Sequence, residues 1–143
     1  MDELNKAVLK AFASTFVYYY KAHGFHWNLK DKDFPQYHGF FETIYSEVYD
    51  SVDAFAEKIR TLQIDVPSKL SELVALSAIS EAEGAPGKDE MVTQLYNDGE
   101  TLLAALKDAY NLCDLYSKFG FENFMAERID AHEKHCWMLR SSM

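Results

Sequence analysis

From Asp2 to Asn28 the small or apolar side chains Leu4, Val8, Ala11, Thr15, Tyr18, Ala22 and Phe25 recur at alternating steps of 4 and 3. That period puts them on one stripe of an α-helix, whereas a strand would scatter them over both faces. The alternation returns from Pro35 to Leu62 as His38, Phe41, Tyr45, Val48, Val52, Phe55, Ile59 and Leu62. A looser form, Val92, Leu95, Leu102, Leu106, Tyr110 and Cys113, spans Asp89 to Tyr116, and Met125, Ile129, His132, Cys136 and Leu139 mark Glu122 to Arg140. No segment sustains a period of two. Only 6 Gly and 3 Pro punctuate the chain, which leaves these stretches free to be helix. Gly24 opposes the first helix by about 1 kcal/mol relative to Ala. The polar run Lys30-Asp31-Lys32-Asp33 reads as a turn, Pro35 suits a helix first turn, and Gly120 reads as a helix stop. Residues 63–88 form a long connection, broken at Pro67 and at Gly84-Ala85-Pro86-Gly87, with a short helix possible around Leu70 to Ala78. Its length suits a crossover along a bundle rather than a tight hairpin. The expectation is an all-α four-helix bundle with a long crossover between helices 2 and 3, in one domain over residues 1–143.

Charge narrows the function. Lys and Arg total 14 against 23 Asp and Glu, a formal net charge of −9. A surface built to clamp nucleic acid needs clustered Lys and Arg. Here Lys6 and Lys10 stand among Asp2 and Glu3, and the chain after the fourth helix is Ser141-Ser142-Met143, so DNA binding is doubtful. No apolar run approaches the roughly 18 residues of a membrane span, and no signal peptide is visible at the N-terminus. A cytoplasmic location is expected, with Cys113 and Cys136 as reduced core thiols.

Four of the five histidines form two HxxH pairs, His23 with His26 and His132 with His135. His38 opens the second helix. His26 and His38 flank one short turn, so an antiparallel helix pair should bring them together. Imidazole combined with carboxylate suits iron among the common metals. On a helical wheel with Val52 at zero, His38 falls at about 40°, Glu42 at about 80°, Asp53 at about 100° and Glu57 at about 140°. These ligand-type side chains form one seam beside the core stripe. Tyr49 and Ala56 share that flank and make it partly apolar, as a surface touching another chain would be. Distance then decides the geometry. His38 and Asp53 are 15 residues apart, about 22 Å along a straight helix, whereas metal–ligand bonds are about 2.0–2.2 Å. If His26, His38, Asp53 and Glu57 hold one ion, two chains must supply them, and a two-fold axis would make two equal sites per dimer.

The run His26-Trp27-Asn28, with His38 twelve residues on, Asp53 fifteen further and Glu57 four further, resembles the Dps family of ferritin-like proteins. HGFFETIYSEVYDSVDAFAEKIRTL and IDAHEKHCWMLR extend the resemblance over essentially the whole chain. It implies a ferritin-like bundle, a homodimer that builds a homododecameric shell, and oxidation of Fe(II), preferably by hydrogen peroxide, with ferric oxide stored inside. His26 and His38 would be ligands from one chain, with Asp53 and Glu57 from the other. Glu42 would hold a second, weaker iron or steer His38, and Trp27 would trap stray oxidising equivalents. Asp114 and Glu122 are minor candidates for an acidic pore. His23 is a lesser candidate ligand, and Asp50 is read as solvated or supporting. His132 is expected as a core histidine and His135 at the surface. Of Tyr18-Tyr19-Tyr20, at least one ring must leave the core. The alternative functions are a DNA-compacting protein and a non-catalytic helical shell protein.

Overall fold

The computed structural model describes residues 2–143. It contains α1 (Asp2–Asn28), α2 (Phe34–Arg60), α3 (Leu70–Leu76), α4 (Lys88–Leu115) and α5 (Phe119–Arg140). No strand occurs among the described residues. The architecture is the expected all-α, ferritin-like bundle, with the short helix present in the crossover. α1 packs against both α2 and α4, α4 against α5, and α3 against α1.

The stripe predicted on α1 is the core: Leu4, Val8, Ala11, Tyr18 and Ala22 have no exposed surface. On α2 the core has turned slightly away from the predicted stripe. Ile44 and Ser51 are buried, while His38, Tyr45 and Val52 are half-buried. The three displaced residues therefore lie at the edge of the core, on the side that carries the carboxylate seam. Of the tyrosine run, Tyr18 is fully buried, Tyr19 is nearly so, and Tyr20 is 56% exposed.

The turn between α4 and α5 corrects one expectation. Gly120 does not stop a helix; it lies in the first turn of α5. The stop is Ser117, which takes a left-handed φ of 57°. The Lys118 N–H donates to the Cys113 carbonyl at 2.8 Å and the Ser117 N–H to that of Asp114 at 3.0 Å. This is the Schellman closure usually built on glycine. The chain supplies it with serine, so composition alone hid it.

Gly99 fills the gap left in the α4 stripe between Leu95 and Leu102. A Cβ added there would sit 2.6 Å from Cys136 Sγ, so α4 and α5 approach closely at this point. Gly99→Ala is expected to destabilise by about 1–3 kcal/mol through overpacking. Urea denaturation of Gly99→Ala, Cys136→Ala and the double variant should show favourable coupling, because removing Sγ opens the space. Both cysteines are buried and free, as expected. Burial, with a smaller push from nearby carboxylates, raises both thiols to about 11, so they stay protonated.

The crossover is tied down by a buried lysine that also pairs with α4. Lys21 Nζ lies 2.9 Å from Asp98 on α4 and donates to the Ser80 carbonyl at 3.1 Å. An apolar groove of about 320 Å³ remains between α1 and α3, lined by Phe16, Tyr20, Leu70 and Val74 among others. Among the described residues no helix is long and apolar enough to cross a membrane.

Candidate metal centre

The short α1–α2 turn is held by local polar chemistry. Asp31 accepts the Asp33 N–H at 2.8 Å through its carboxylate, and its carbonyl accepts the Phe34 N–H at 3.1 Å. Pro35 sits in the first turn of α2. This tight reversal sets the end of α1 beside the start of α2, and His26 and His38 meet there. Their rings stack with centroids 3.7 Å apart at an angle of 13°.

Each histidine is fixed by the backbone of the other. His26 Nδ1 donates to the His38 carbonyl at 2.7 Å, and His38 Nδ1 donates to the His26 carbonyl at 2.8 Å. A carbonyl oxygen only accepts, so both Nδ1 atoms carry the proton. When the rings are neutral, each Nε2 keeps its lone pair. Binding one nitrogen to a carbonyl is how proteins orient imidazole for metal ligation at the other. The two rings therefore form a prepared pair of nitrogen donors.

Glu42 joins them. Its carboxylate lies 3.9 Å from His26 Nε2 and remains 58% exposed. His23 stacks flat on Tyr45, centroids 3.8 Å apart, and lies 4.1 Å from Trp27 on its other side. Burial, and then the neighbouring His26, hold its imidazole below the ordinary value, partly offset by Glu42. Trp27 is 55% exposed beside this group.

Asp53 and Glu57 do not join the histidines within the chain. Both are exposed on the C-terminal third of α2. Neither makes an ion pair or side-chain hydrogen bond among the described residues. No three His, Cys, Asp or Glu side chains gather closely enough to hold a metal ion among those residues. The chain thus presents two separate fragments on one flank of α2: two histidines with Glu42 at its head, and two free carboxylates further along. Asp50 is exposed. Asp114 is exposed and Glu122 half-buried at the α4–α5 turn.

His135 corrects another expectation: it is buried, not at the surface. Its Nε2 lies 2.8 Å from Glu47 Oε1, reaching across from α2, and Arg128 grips the same carboxylate with both terminal nitrogens. Burial by itself would raise the Glu47 carboxyl, but the bonds from His135 and Arg128 override it and hold the group well below the usual carboxylate range. His132 is buried as expected, edge-on to Tyr18 with centroids 5.3 Å apart. Burial, then Arg128 and His135, push its imidazole well below the ordinary value. Sequence reasoning missed this cluster because Glu47 and His135 are 88 residues apart. Arg128 and His135, flanking His132 at steps of four and three, were the available signal.

The bundle and its paired histidines define a ferritin-like protein, and residues 3–143 match the family profile described as Ferritin-like domain. The chain is similar to General stress protein 20U of Bacillus subtilis (strain 168), with 32% identity across 98% of this chain and 97% of that one. It is also 32% identical to the DNA protection during starvation protein of Brevibacillus brevis, over 90% of this chain and 87% of the relative. Among solved structures it superimposes on a Dps protein from Vibrio cholerae O1 with a TM-score of 0.92 and 27% identity, covering 98% of this chain and 88% of that one. The Vibrio protein is described as a member of a broad superfamily of ferritin-like diiron-carboxylate proteins. The chain belongs to the ferritin-like family, and within it to the Dps proteins.

Proposed function

We propose that this protein is a ferroxidase that oxidises Fe(II) with hydrogen peroxide at a site shared by two chains and stores the ferric product in a shell. The observation that carries this reading is the reciprocal lock of His26 and His38, which prepares two Nε2 donors and leaves them one chain short of a full ligand set. Asp53 and Glu57 of a second copy, related by a two-fold axis, complete it, because one helix cannot bridge the roughly 22 Å between its own groups. Glu42 binds a second, weaker ferrous ion or steers the adjacent imidazole. The exposed rings of Tyr20, Trp27 and Tyr49 give the flanks of α1 and α2 the apolar character of a partner-facing surface. The family supports a homododecamer built from such dimers, in the cytoplasm, with one domain per chain.

Iron is the substrate. Peroxide accepts two electrons, and two ferrous ions supply one each: 2 Fe(II) + H2O2 + 2 H+ gives 2 Fe(III) + 2 H2O. Holding both ions together avoids the one-electron cleavage that releases hydroxyl radical. The carboxylates raise the local concentration of the cation, and the neutral imidazoles hold it without adding positive charge. Light scattering and anaerobic Fe(II) titration of one preparation test the reading. A multimer that binds Fe(II) saturably is expected; a stable monomer, or no saturable ferrous binding, overturns it.

A further inference from the structure

The junction between α2 and α5 carries a charged cluster that the metal centre does not use. α2 packs chiefly against α1 and meets α5 only lightly. Near the end of α2, Phe55 packs edge-on to Phe121 and Phe124 of α5. Further back the two helices are joined by charge: the Glu47 carboxylate accepts hydrogen bonds from Arg128 and His135. At 100° per residue Glu47 stands about 130° round α2 from the middle of the row formed by His38, Glu42, Asp53 and Glu57. One edge of the helix therefore offers ligands, and the opposite edge is clamped to α5.

His132 sits against the back of this clamp with no exposed surface. Its Nε2 lies 3.4 Å from a terminal nitrogen of Arg128. A guanidinium only donates, so Nε2 is the acceptor and the imidazole proton is on Nδ1. A second proton goes to Nε2. It sets N–H against N–H and positive charge against the guanidinium, in a place that water does not reach. We propose that His132 is an acid-sensitive latch: in mild acid its protonation drives Arg128 off Glu47, frees α2 from α5 and takes the two-chain site apart while the helices remain formed. This rests on the shared-site reading above, because α2 carries His38 and Glu42 at its head and Asp53 and Glu57 further along. A shift of α2 displaces both fragments relative to the partner chain.

The surroundings of His132 set the direction. Burial, then Arg128 and His135 on its own helix, oppose its charged form, and Glu47 of α2 favours it. From α1 it meets the neutral phenol of Tyr18, edge-on. On α4 the nearby carboxylate is Asp98, which acts on Tyr18 and pairs with Lys21. His132 is therefore neutral at neutral pH and the latch is closed. It opens only as the pH falls beneath the ordinary imidazole value of 6.5.

The test follows the iron-free assembled protein from pH 7.5 to pH 4.5 in three ways. Light scattering gives mass, circular dichroism gives helix content, and amide hydrogen exchange, corrected for the pH dependence of the chemical step, gives the protection of α2. Wild type should lose mass and α2 protection together while keeping its helix content. His132→Phe places an apolar ring that takes no proton, and should keep its mass and α2 protection at pH 4.5. Glu47→Gln removes the charge that Arg128 grips. It should show at pH 7.5 the α2 exchange that wild type shows only in acid, and it tests the latch even if His132→Phe does not fold. An unchanged acid transition in His132→Phe, wild-type α2 protection in Glu47→Gln, α2 protection that persists to pH 4.5 in wild type, or loss of helix in step with loss of mass overturns the proposal. A wild type that is monomeric at pH 7.5 overturns the shared-site reading instead, and α2 exchange then tests the latch by itself.

Discussion

Chains carrying His38→Ala, mixed with chains carrying Asp53→Ala, are expected to regain ferrous oxidation that neither performs alone. Each variant by itself breaks both sites of its homodimer, since every site draws histidines from one chain and carboxylates from the other. Losing a ligand should slow oxidation by more than the roughly 10–100-fold typical of losing an outer partner of a metal ligand. In a mixed dimer both lesions fall on one site and the other is intact. Random reassembly at equal ratio therefore restores about a quarter of all sites. The measurement is peroxide-driven oxidation, followed by absorbance, after the two variants are dissociated and reassembled together. A site built within one chain would stay dead in every mixture, whereas one in which Asp53 plays no part would already be active in Asp53→Ala alone. The double variant mixed with wild type gives the complementary pattern: each mixed dimer then has one lesion in each site, and activity falls further than dilution explains.

How much of this was legible in the sequence depends on the range of each interaction. The pairing of His26 with His38 was readable because twelve residues and one turn separate them, and an antiparallel hairpin leaves little choice. The hydrogen bonds that fix their tautomers were not, because the acceptors are backbone carbonyls, which no side-chain pattern encodes. The α2 stripe was read with His38, Tyr45 and Val52 inside it. Those three mark its edge, because α2 packs mainly against α1 and its buried face extends the other way, to Ile44 and Ser51. Gly99 escaped notice because a glycine in a stripe looks like a gap, although here it admits the Cys136 sulfur. His135 was misplaced because its burial depends on Glu47, a partner on another helix. The separation of Asp53 from the histidines was the most durable inference, since helix rise alone sets it.

That Glu47 cluster carries the largest stability effect expected in the chain. Arg128→Met should cost about 2–3 kcal/mol, below the roughly 3–5 kcal/mol for breaking a fully buried pair, because the Glu47 carboxylate keeps some access to water. The loss should depend on pH, and its sign follows from the direction of each shift. Glu47 is held below its ordinary 4.5 in the folded state, so its contribution is full above that value and disappears as the pH falls. His132 is held below its ordinary 6.5, so the unfolded chain takes up that proton first, and stability declines as the pH drops beneath about 6.5. One such group contributes a slope of at most about 1.4 kcal/mol per pH unit. Urea midpoints measured from pH 7 to pH 3 should therefore fall in two stages, first through His132 and then, below about 4.5, also through Glu47. His132→Phe should remove the first stage and leave the second. Replacing Glu47, Arg128 and His135 together with Met, Met and Leu should behave differently from the single change. It removes the charges with their desolvation, so it is expected to be neutral or stabilising where Arg128→Met alone is damaging. A triple variant as unstable as the single one would mean that the cluster contributes more than the pairing of its own charges, through shape that the apolar side chains cannot reproduce.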